Sequence, residues 1–592
     1  LFIGPVFTRE LAIAPRRSKL YIIRTAYPLA LLVLMGTAWL VLTGTQLVRD
    51  VGDLARFGAA VFQILAPLQL ALAAFFSALL AASEVAHEKD RRTLILLLMT
   101  NLSNSELVLG KLFASLLSVP VTLFAALPVF LLATLLGGVT YGQVARAFAV
   151  TVATMICCGS LGSLLALWRE KTFQTLAMTV LILVLWLAAG EIVASGALGQ
   201  TFALGSSQLP CQALAAGFSP WQAILEAARP YVHAQPALGL LGSPVYLFLA
   251  TSLVVAVLLN GVAIVMVRVW NPSRHDEGGV AGEDASISAA GEESAVSARH
   301  VAKTRHVWDN PIIWREMRTW AYGRKILAIR LAYIAMSALA AVSLYWIISG
   351  NPQAASTQIT LALAPLLLLS LVLVNAQAVT SLTSERDVGA LDLLLVTDLT
   401  PKEIVYGKLG GIFYNMRDMV LLPMLLCVGL WWTRQLSLEN TLYLMGGLAV
   451  LFAFTAMVGL HAGMTYANSG AAVATSLGTV FFLFVGVAVC MRIMMAFSGS
   501  FHAQFLPFFA FMVFGGAGLY AVLGLRNPST AIGVASFLCP FATFYAITSY
   551  LLGGSLAVFL VTAAAYGFTT ASMLVPAICE FDVATGRTTL EE

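Results

Sequence analysis

Apolar residues fall along this chain in runs of about 20, separated by short polar stretches. A run of that length covers the ~30 Å hydrocarbon layer of a bilayer as a helix. The strands of a membrane barrel would be ~10 residues of alternating polarity, and runs such as 29–42 do not alternate. Backbone facing lipid must satisfy its own hydrogen bonds, which leaves helices. The pattern predicts an all-α, polytopic helical membrane protein with spans near 25–44, 57–82, 107–136, 144–168, 173–195 and 244–268, then 326–348, 357–380, 404–432, 440–466, 472–495 and 555–577. Residues 271–304, rich in Ala, Ser and Glu and without periodicity, are expected to be a flexible linker. They divide the chain into a first unit, 1–270, and a second, 305–592. An extra apolar stretch at 505–525 has no partner in the first unit. We expect it to be re-entrant, buried or one of a pair of short helices, which keeps the number of crossings even.

The two units repeat one design. The stretch from Glu88 to Leu112 recurs without a gap from Glu385 to Leu409, at an offset of 297, with about half the positions identical. Upstream, Pro5, Arg9, Glu10, Lys19, Ile23, Arg24, Ala26 and Tyr27 recur at an offset of 306 as Pro311, Arg315, Glu316, Lys325, Ile329, Arg330, Ala332 and Tyr333. The expected architecture is therefore two tandem six-span halves related by pseudo-twofold symmetry.

Composition agrees with a membrane protein: 59% of residues are hydrophobic and 10% charged, against roughly 25% charged in a soluble domain. The net charge of +4 does not point to nucleic acid. Its placement sets orientation. Lys and Arg cluster before the first span (Arg9, Arg16, Arg17, Lys19, Arg24), after the second (Lys89, Arg91, Arg92), after the fourth (Arg169, Lys171) and from Arg268 to Arg330. By the positive-inside rule these regions are cytoplasmic, as are both termini and both copies of the repeat. The expected location is a plasma membrane, the bacterial inner (cytoplasmic) membrane. The first apolar run is too long for a signal-peptide core and is expected to be retained. The seven cysteines form no C-x-x-C pair, so neither a disulfide framework nor a metal site is implied.

Within each repeat, Ser103 with Glu106 and Thr400 with Glu403 have the spacing of a capping box, and Pro401 adds a residue suited to the first helical position. New helices should begin near 104 and 401 and run into the third span of each half. The preceding segments, Glu88–Met99 and Glu385–Val396, are too short to span. They should lie at the interface, with Leu94, Leu97 and Leu98 (or Leu391, Leu394 and Leu395) facing lipid or protein. Their charged ends, Glu88, Lys89, Asp90 and Glu385, Arg386, Asp387, should face the cytoplasm. The N-terminal block is expected to be an amphipathic surface helix, with Phe7, Leu11 and Ala14 (Ile313, Met317 and Trp320 in the second copy) on one face. Arg9-Glu10 and Arg315-Glu316 fall on the other.

Gly110-Lys111 and Gly407-Lys408 are not phosphate loops, because that motif also needs an earlier Gly and a following Ser or Thr, and Leu follows in each copy. ATP binding by the chain is not expected. Glu191 and Arg492, near the ends of equivalent spans, are candidates for an intramembrane pair. His461, Asn375 and Gln377 are expected to be interhelical hydrogen bonders. An intramembrane enzyme would need a constellation such as His-x-x-Glu-His within the spans, and none is present.

These residues resemble the type-2 ABC (ATP-binding cassette) exporter permeases, with two halves fused in one chain. The resemblance lies in the surface helix carrying Arg-Glu, in the core from Thr93 to Ser103, in Glu106, Gly110 and Lys111, and in Thr397, Leu399, Thr400, Glu403, Gly407 and Lys408. The second copy departs at Ala390 and Asp392. The resemblance implies that 83–103 and 381–400 are coupling helices seated in clefts of cytoplasmic ATPase subunits, two copies or a heterodimer, which bind the ATP and Mg. The chain itself would bind no cofactor. It also implies that Glu88, Asp90, Glu106, Gly110, Lys111, Glu385, Asp387, Glu403, Gly407 and Lys408 serve coupling. Phe218–Trp221 and Leu538–Phe541 look like that family's short outer re-entrant helices. The expected function is a non-enzymatic permease subunit of an ATP-driven exporter, its substrate hydrophobic or amphipathic because the spans carry little charge. The alternative is an ATPase-linked mechanical or envelope-assembly component that moves no solute.

Overall fold

The computed structural model describes residues 4–13, 18–45, 50–91, 93–169, 171–194, 201–204, 207–230, 243–271, 308, 310–318, 326–350, 356–486, 488–489, 492, 501–524, 529–551, 555–579 and 581. The expected linker, apart from residue 271, lies outside them, as do Arg16, Arg17, Arg92, Trp320 and Lys325.

Among the described residues, every apolar run picked from the sequence is helical apart from single-residue turns. Among the described residues eleven helices are long and apolar enough to cross a membrane, and a twelfth span is formed if Pro401–Asn415 and Arg417–Trp432, bent by 60°, are taken together. In chain order, spans 1 to 6 occupy Ser18–Thr45, Val51–Asp90, Asn104–Leu135, Tyr141–Trp168, Thr172–Ala194 and Pro244–Trp270. Spans 7 to 12 occupy Ile326–Gly350, Ser356–Val388, the bent pair, Leu438–Thr465, Ser469–Gly486 and Ser555–Cys579. Many carry apolar residues all round, as helices between lipid and protein do.

The same neighbours recur in both series. Span 2 packs on span 4 and span 8 on span 10; span 4 packs on span 6 and span 10 on span 12. The tight crossing recurs at corresponding residues, although the nearest atom differs: the Ala78 oxygen for Gly162, and Ala378 Cβ, at 2.5 Å, for Gly459. A Cβ on Gly162 of span 4 would come 2.5 Å from the Ala78 carbonyl oxygen and 3.3 Å from the Ala82 nitrogen. Gly459 of span 10 stands 297 positions later, and its Cβ would meet the Asn375 oxygen at 2.8 Å and the Val379 nitrogen at 2.9 Å, the same offset again. Small residues let helix backbones meet where lipid supplies no hydrophobic drive. The two series join through spans 2 and 5 of one against spans 11 and 8 of the other. Phe173, Leu176 and Leu181 share one buried cluster with Leu369, Leu373 and Val379.

Between spans 11 and 12 residues 505–523 lie in a helix, Phe501–Leu523, packed on a second, Thr530–Leu551. The two helices pack as a pair, but at 23 and 22 residues neither is the short helix expected. Phe501–Leu523 also packs on span 1. The corresponding place in the first series holds a β-hairpin, Thr201–Leu204 with Ser207–Pro210, and two short helices, Cys211–Phe218 and Pro220–Ala227. A helix does restart at Pro220, as expected. Leu538–Phe541 behaves differently: Pro540 sits inside the continuous helix Thr530–Leu551 and starts nothing. In a membrane helix the freed carbonyl finds other partners, so proline need not break it.

Candidate functional site

The repeated polar stretches form two elbows, one at the end of span 2 and one at the end of span 8. Each elbow is a short helix, Thr93–Leu98 or Ala390–Leu395, followed by a turn and a capped helix. Both predicted capping boxes are present: Ser103 accepts from the Glu106 amide while Glu106 reaches back, and Thr400 with Glu403 does the same. The two carboxylates thus organise the starts of spans 3 and 9.

The charged ends of the elbows do not face outward, as the sequence led us to expect. They turn into the bundle, and each residue of the triplet holds a different span. Glu88 pairs with Lys111 of span 3. Lys89 donates to the carbonyls of Leu167 and, at 2.9 Å, Arg169, at the end of span 4. Asp90 accepts from the hydroxyl of Thr172, the first residue of span 5. In the second elbow Glu385 lies 2.7 Å from Lys408 of span 9. Arg386 donates to the Gly463 carbonyl near the end of span 10 at 3.1 Å, and Asp387 lies beside Ser469, which opens span 11. A cation at a helix C-terminus and an anion at an N-terminus both match the helix dipole. The acid-base-acid order therefore ties four consecutive spans together at one end of each bundle.

The surface helices complete the arrangement. Gly4–Ile13 packs on the start of span 3, and Pro311–Arg318 on the start of span 9. Phe7 meets Phe113 edge-on. Asn310 caps the second surface helix, accepting from the amides of Ile312 and Ile313 at 3.0 and 3.1 Å, and donates to the Glu403 carbonyl. Gly407 and Gly411 are the points of closest approach, since a Cβ there would stand 2.7 Å from Ile312 Cβ and from Glu316 Cβ respectively. Glu316, expected on the solvent side of its helix, is turned inward instead. Its side chain is 3% exposed and lies 2.8 Å from Lys408 Nζ, itself 2% exposed. Arg315 bonds both Glu316 and Glu385. Burial alone would raise the Glu316 carboxyl, but the charges and hydrogen bonds of Lys408 and Arg315 outweigh it and hold that group below its ordinary value. The helix amphipathicity pointed outward, and the compensating cation 92 residues away in sequence carried no local signal. Gly110 is buried in the equivalent position of the first copy, Glu10 is half-buried and Arg9 is exposed.

The elbows also touch each other. His87 Nδ1 lies 2.9 Å from Asp387 Oδ2, and Arg91 Nε 3.5 Å from Asp387 Oδ1. Both elbows therefore stand side by side at one end of the molecule. Exposed on them are large apolar side chains, Leu96 and Met99 on the first, 65% and 59% exposed, and Leu393 and Val396 on the second, 75% and 85%, beside the polar Arg91, Thr100 and Asn101 on the first and Asp392 and Asp398 on the second.

Among the remaining candidates, Asn375 links three spans, donating to the Thr455 carbonyl and accepting from Ser476. His461 approaches the Leu523 carbonyl at 3.4 Å, while Gln377 is buried with no side-chain hydrogen-bond partner among the described residues. Glu191 and Arg492 form no ion pair among the described residues. Glu191 instead accepts from Gln222 Nε2 at 2.8 Å, and Arg492 is exposed. No group of three or more His, Cys, Asp or Glu side chains suited to a metal ion occurs among the described residues.

Residues 4–198 match the family described as ABC-2 type transporter, the membrane domain of ABC transporters. That segment contains the first surface helix, the first elbow and spans 1 to 5. No curated protein and no solved structure matches the chain.

Proposed function

We propose that the whole chain is the permease of an ATP-driven exporter, two halves of one design fused in tandem, driven by separate cytoplasmic ATPase subunits. The observation that carries this reading is the adjacency of the two elbows. A family match to the first half, a repeat of its motif at a fixed offset and the recurring span neighbours support a second half of the same kind. On this reading the elbows lie on the cytoplasmic side of a bacterial inner membrane.

The internal wiring suggests how force would pass. Leu96, Met99, Leu393 and Val396 would seat in the ATPases. Because Glu88, Lys89 and Asp90 each hold a different span, a push on the first elbow moves spans 2 to 5 together. Glu385, Arg386 and Asp387 do the same for spans 8 to 11. Movement of one group against the other, along the joint formed by spans 2, 5, 8 and 11, would open a path between the halves. Glu88, Asp90, Lys111, Glu385, Asp387 and Lys408 would be relay residues inside the permease, and Gly407 a packing residue. The cargo is proposed to be a hydrophobic or amphipathic compound.

The test is retention of the ATPase. Leu96→Asp with Leu393→Asp should leave membrane insertion intact and abolish co-purification of the ATPase. Full retention, with unchanged transport, contradicts the reading. ATPase turnover in reconstituted vesicles without flux of any lipid or drug would favour the mechanical alternative.

A further inference from the structure

The two elbows share their apolar tips and differ in the charge beside them. Leu96 and Met99 correspond by the offset of 297 to Leu393 and Val396, and all four are exposed. The flanking positions do not correspond in charge. Ile95 becomes Asp392 and Asn101 becomes Asp398, while Arg91 and Arg92 become Val388 and Gly389. Residues 91–102 thus carry a net charge of +2 and residues 388–399 a net charge of −2. Asp392 and Asp398 are exposed, and among the described residues neither has an ion-pair partner. Arg91, by contrast, is partly engaged with Asp387.

We propose that the elbows dock into two non-identical ATPase subunits: the second elbow into an apolar cleft with a basic rim facing Asp392 and Asp398, the first into an apolar cleft without one. This rests on the ATPase-docking reading above. The repeated tip supplies the contact common to both, and the rim charges decide which cleft each tip accepts. Complementary charge at an interface sets partner choice and register more than raw affinity. The two acids also argue against lipid as the occupant of the second tip. The cytoplasmic leaflet is negatively charged and attracts basic segments, so Asp392 and Asp398 would be repelled from it. A basic protein surface is the occupant that both the exposed apolar pair and the unpaired carboxylates fit.

The experiment uses the full chain purified with its ATPases. A photo-crosslinking phenylalanine analogue is placed at position 99 or 396, and the crosslinked polypeptides are identified by mass. The proposal expects two different Gly-x-x-x-x-Gly-Lys-Ser/Thr-containing subunits, one from each position. Asp392→Asn with Asp398→Asn should lower the crosslink from position 396 about tenfold and leave that from position 99 within about twofold. Raising ionic strength from about 0.05 to 0.3 M should have the same selective effect, because screening acts on exposed charges. One and the same polypeptide at both positions overturns the proposal while leaving ATPase docking intact. Equal responses of both crosslinks to the Asn substitutions overturn the role of charge. Lipid adducts alone at both positions overturn the docking reading as well.

Discussion

His87 and Asp387, 300 residues apart in the chain, meet at 2.9 Å where the ends of spans 2 and 8 converge. Asp387 is almost wholly buried there, and Arg91 approaches its other oxygen. This contact places the two elbows at one end of the bundle and makes them neighbours. It is also one-sided: the residue corresponding to His87 in the second copy is Ser384, and Asp90, the counterpart of Asp387, is taken by Thr172.

If this contact couples the two series of spans, His87→Gln and Asp387→Asn should not be additive. A hydrogen bond to a charged group contributes about 1.5–3 kcal/mol. A double-mutant cycle on unfolding in detergent should therefore give a coupling of at least about 1 kcal/mol. A coupling near zero would mean that the two groups are merely close.

Lys408 and Lys111 occupy equivalent positions, yet their surroundings differ. Lys408 is 2% exposed between Glu316 and Glu385, while Lys111 and Glu88 are 15% and 18% exposed. Removing one partner of a buried ion pair costs about 3–5 kcal/mol because the other charge stays buried. Lys408→Met should lower the thermal midpoint of the detergent-solubilised protein clearly more than Lys111→Met. Equal losses would contradict the difference in burial.

Acid should loosen the second surface helix. The Glu316 carboxyl is held below its ordinary value, so the unfolded state binds more protons as pH falls. The stability that Glu316 contributes is fully present above the ordinary glutamate range, about 4.3, and is lost as pH drops through the lowered folded value. Wild type should exceed Glu316→Gln in stability at neutral pH and lose that advantage on acidification. The check is the difference in unfolding midpoint between the two proteins across pH. A gap that widens on acidification has the wrong sign for this account.

The crossing of spans 8 and 10 leaves no room for a side chain at Gly459. Gly459→Leu should destabilise by about 1–3 kcal/mol or more through overpacking, and Gly162→Leu should do so at the equivalent crossing. Gly447 and Gly567, around which a Cβ would meet nothing within 4 Å, are the controls and should tolerate Ala. Thermal unfolding of the four variants separates close packing from a general intolerance of glycine replacement.

The spans and caps were legible because each rests on local rules. Run length marked the helices, and the Ser103–Glu106 and Thr400–Glu403 spacings marked their starts. The inward turn of Glu88, Asp90, Glu385 and Asp387 was not legible, because a charged cluster beside an apolar run ordinarily meets water. Only its partners reverse that reading, and they are supplied by spans 3 to 5 and 9 to 11. One signal was available and unused: Glu88 and Lys111, like Glu385 and Lys408, stand 23 positions apart in both copies, a spacing that simple solvent exposure does not require. Gly162 and Gly459 repeat at the offset of the elbows and pointed to a shared crossing in the same way. The different fates of Pro220 and Pro540 carried no such signal, since whether a helix breaks at proline depends on its neighbours.

On the proposed reading both elbows face the compartment that holds the ATPase. Leu96→Cys and Leu393→Cys, each in a chain whose Cys211, Cys490 and Cys579 are replaced by Ser, can be labelled with a membrane-impermeant maleimide in vesicles of either orientation. Both positions should react in inside-out vesicles and neither in right-side-out vesicles until the membrane is opened. Reaction of the two cysteines from opposite sides of the membrane would contradict the account.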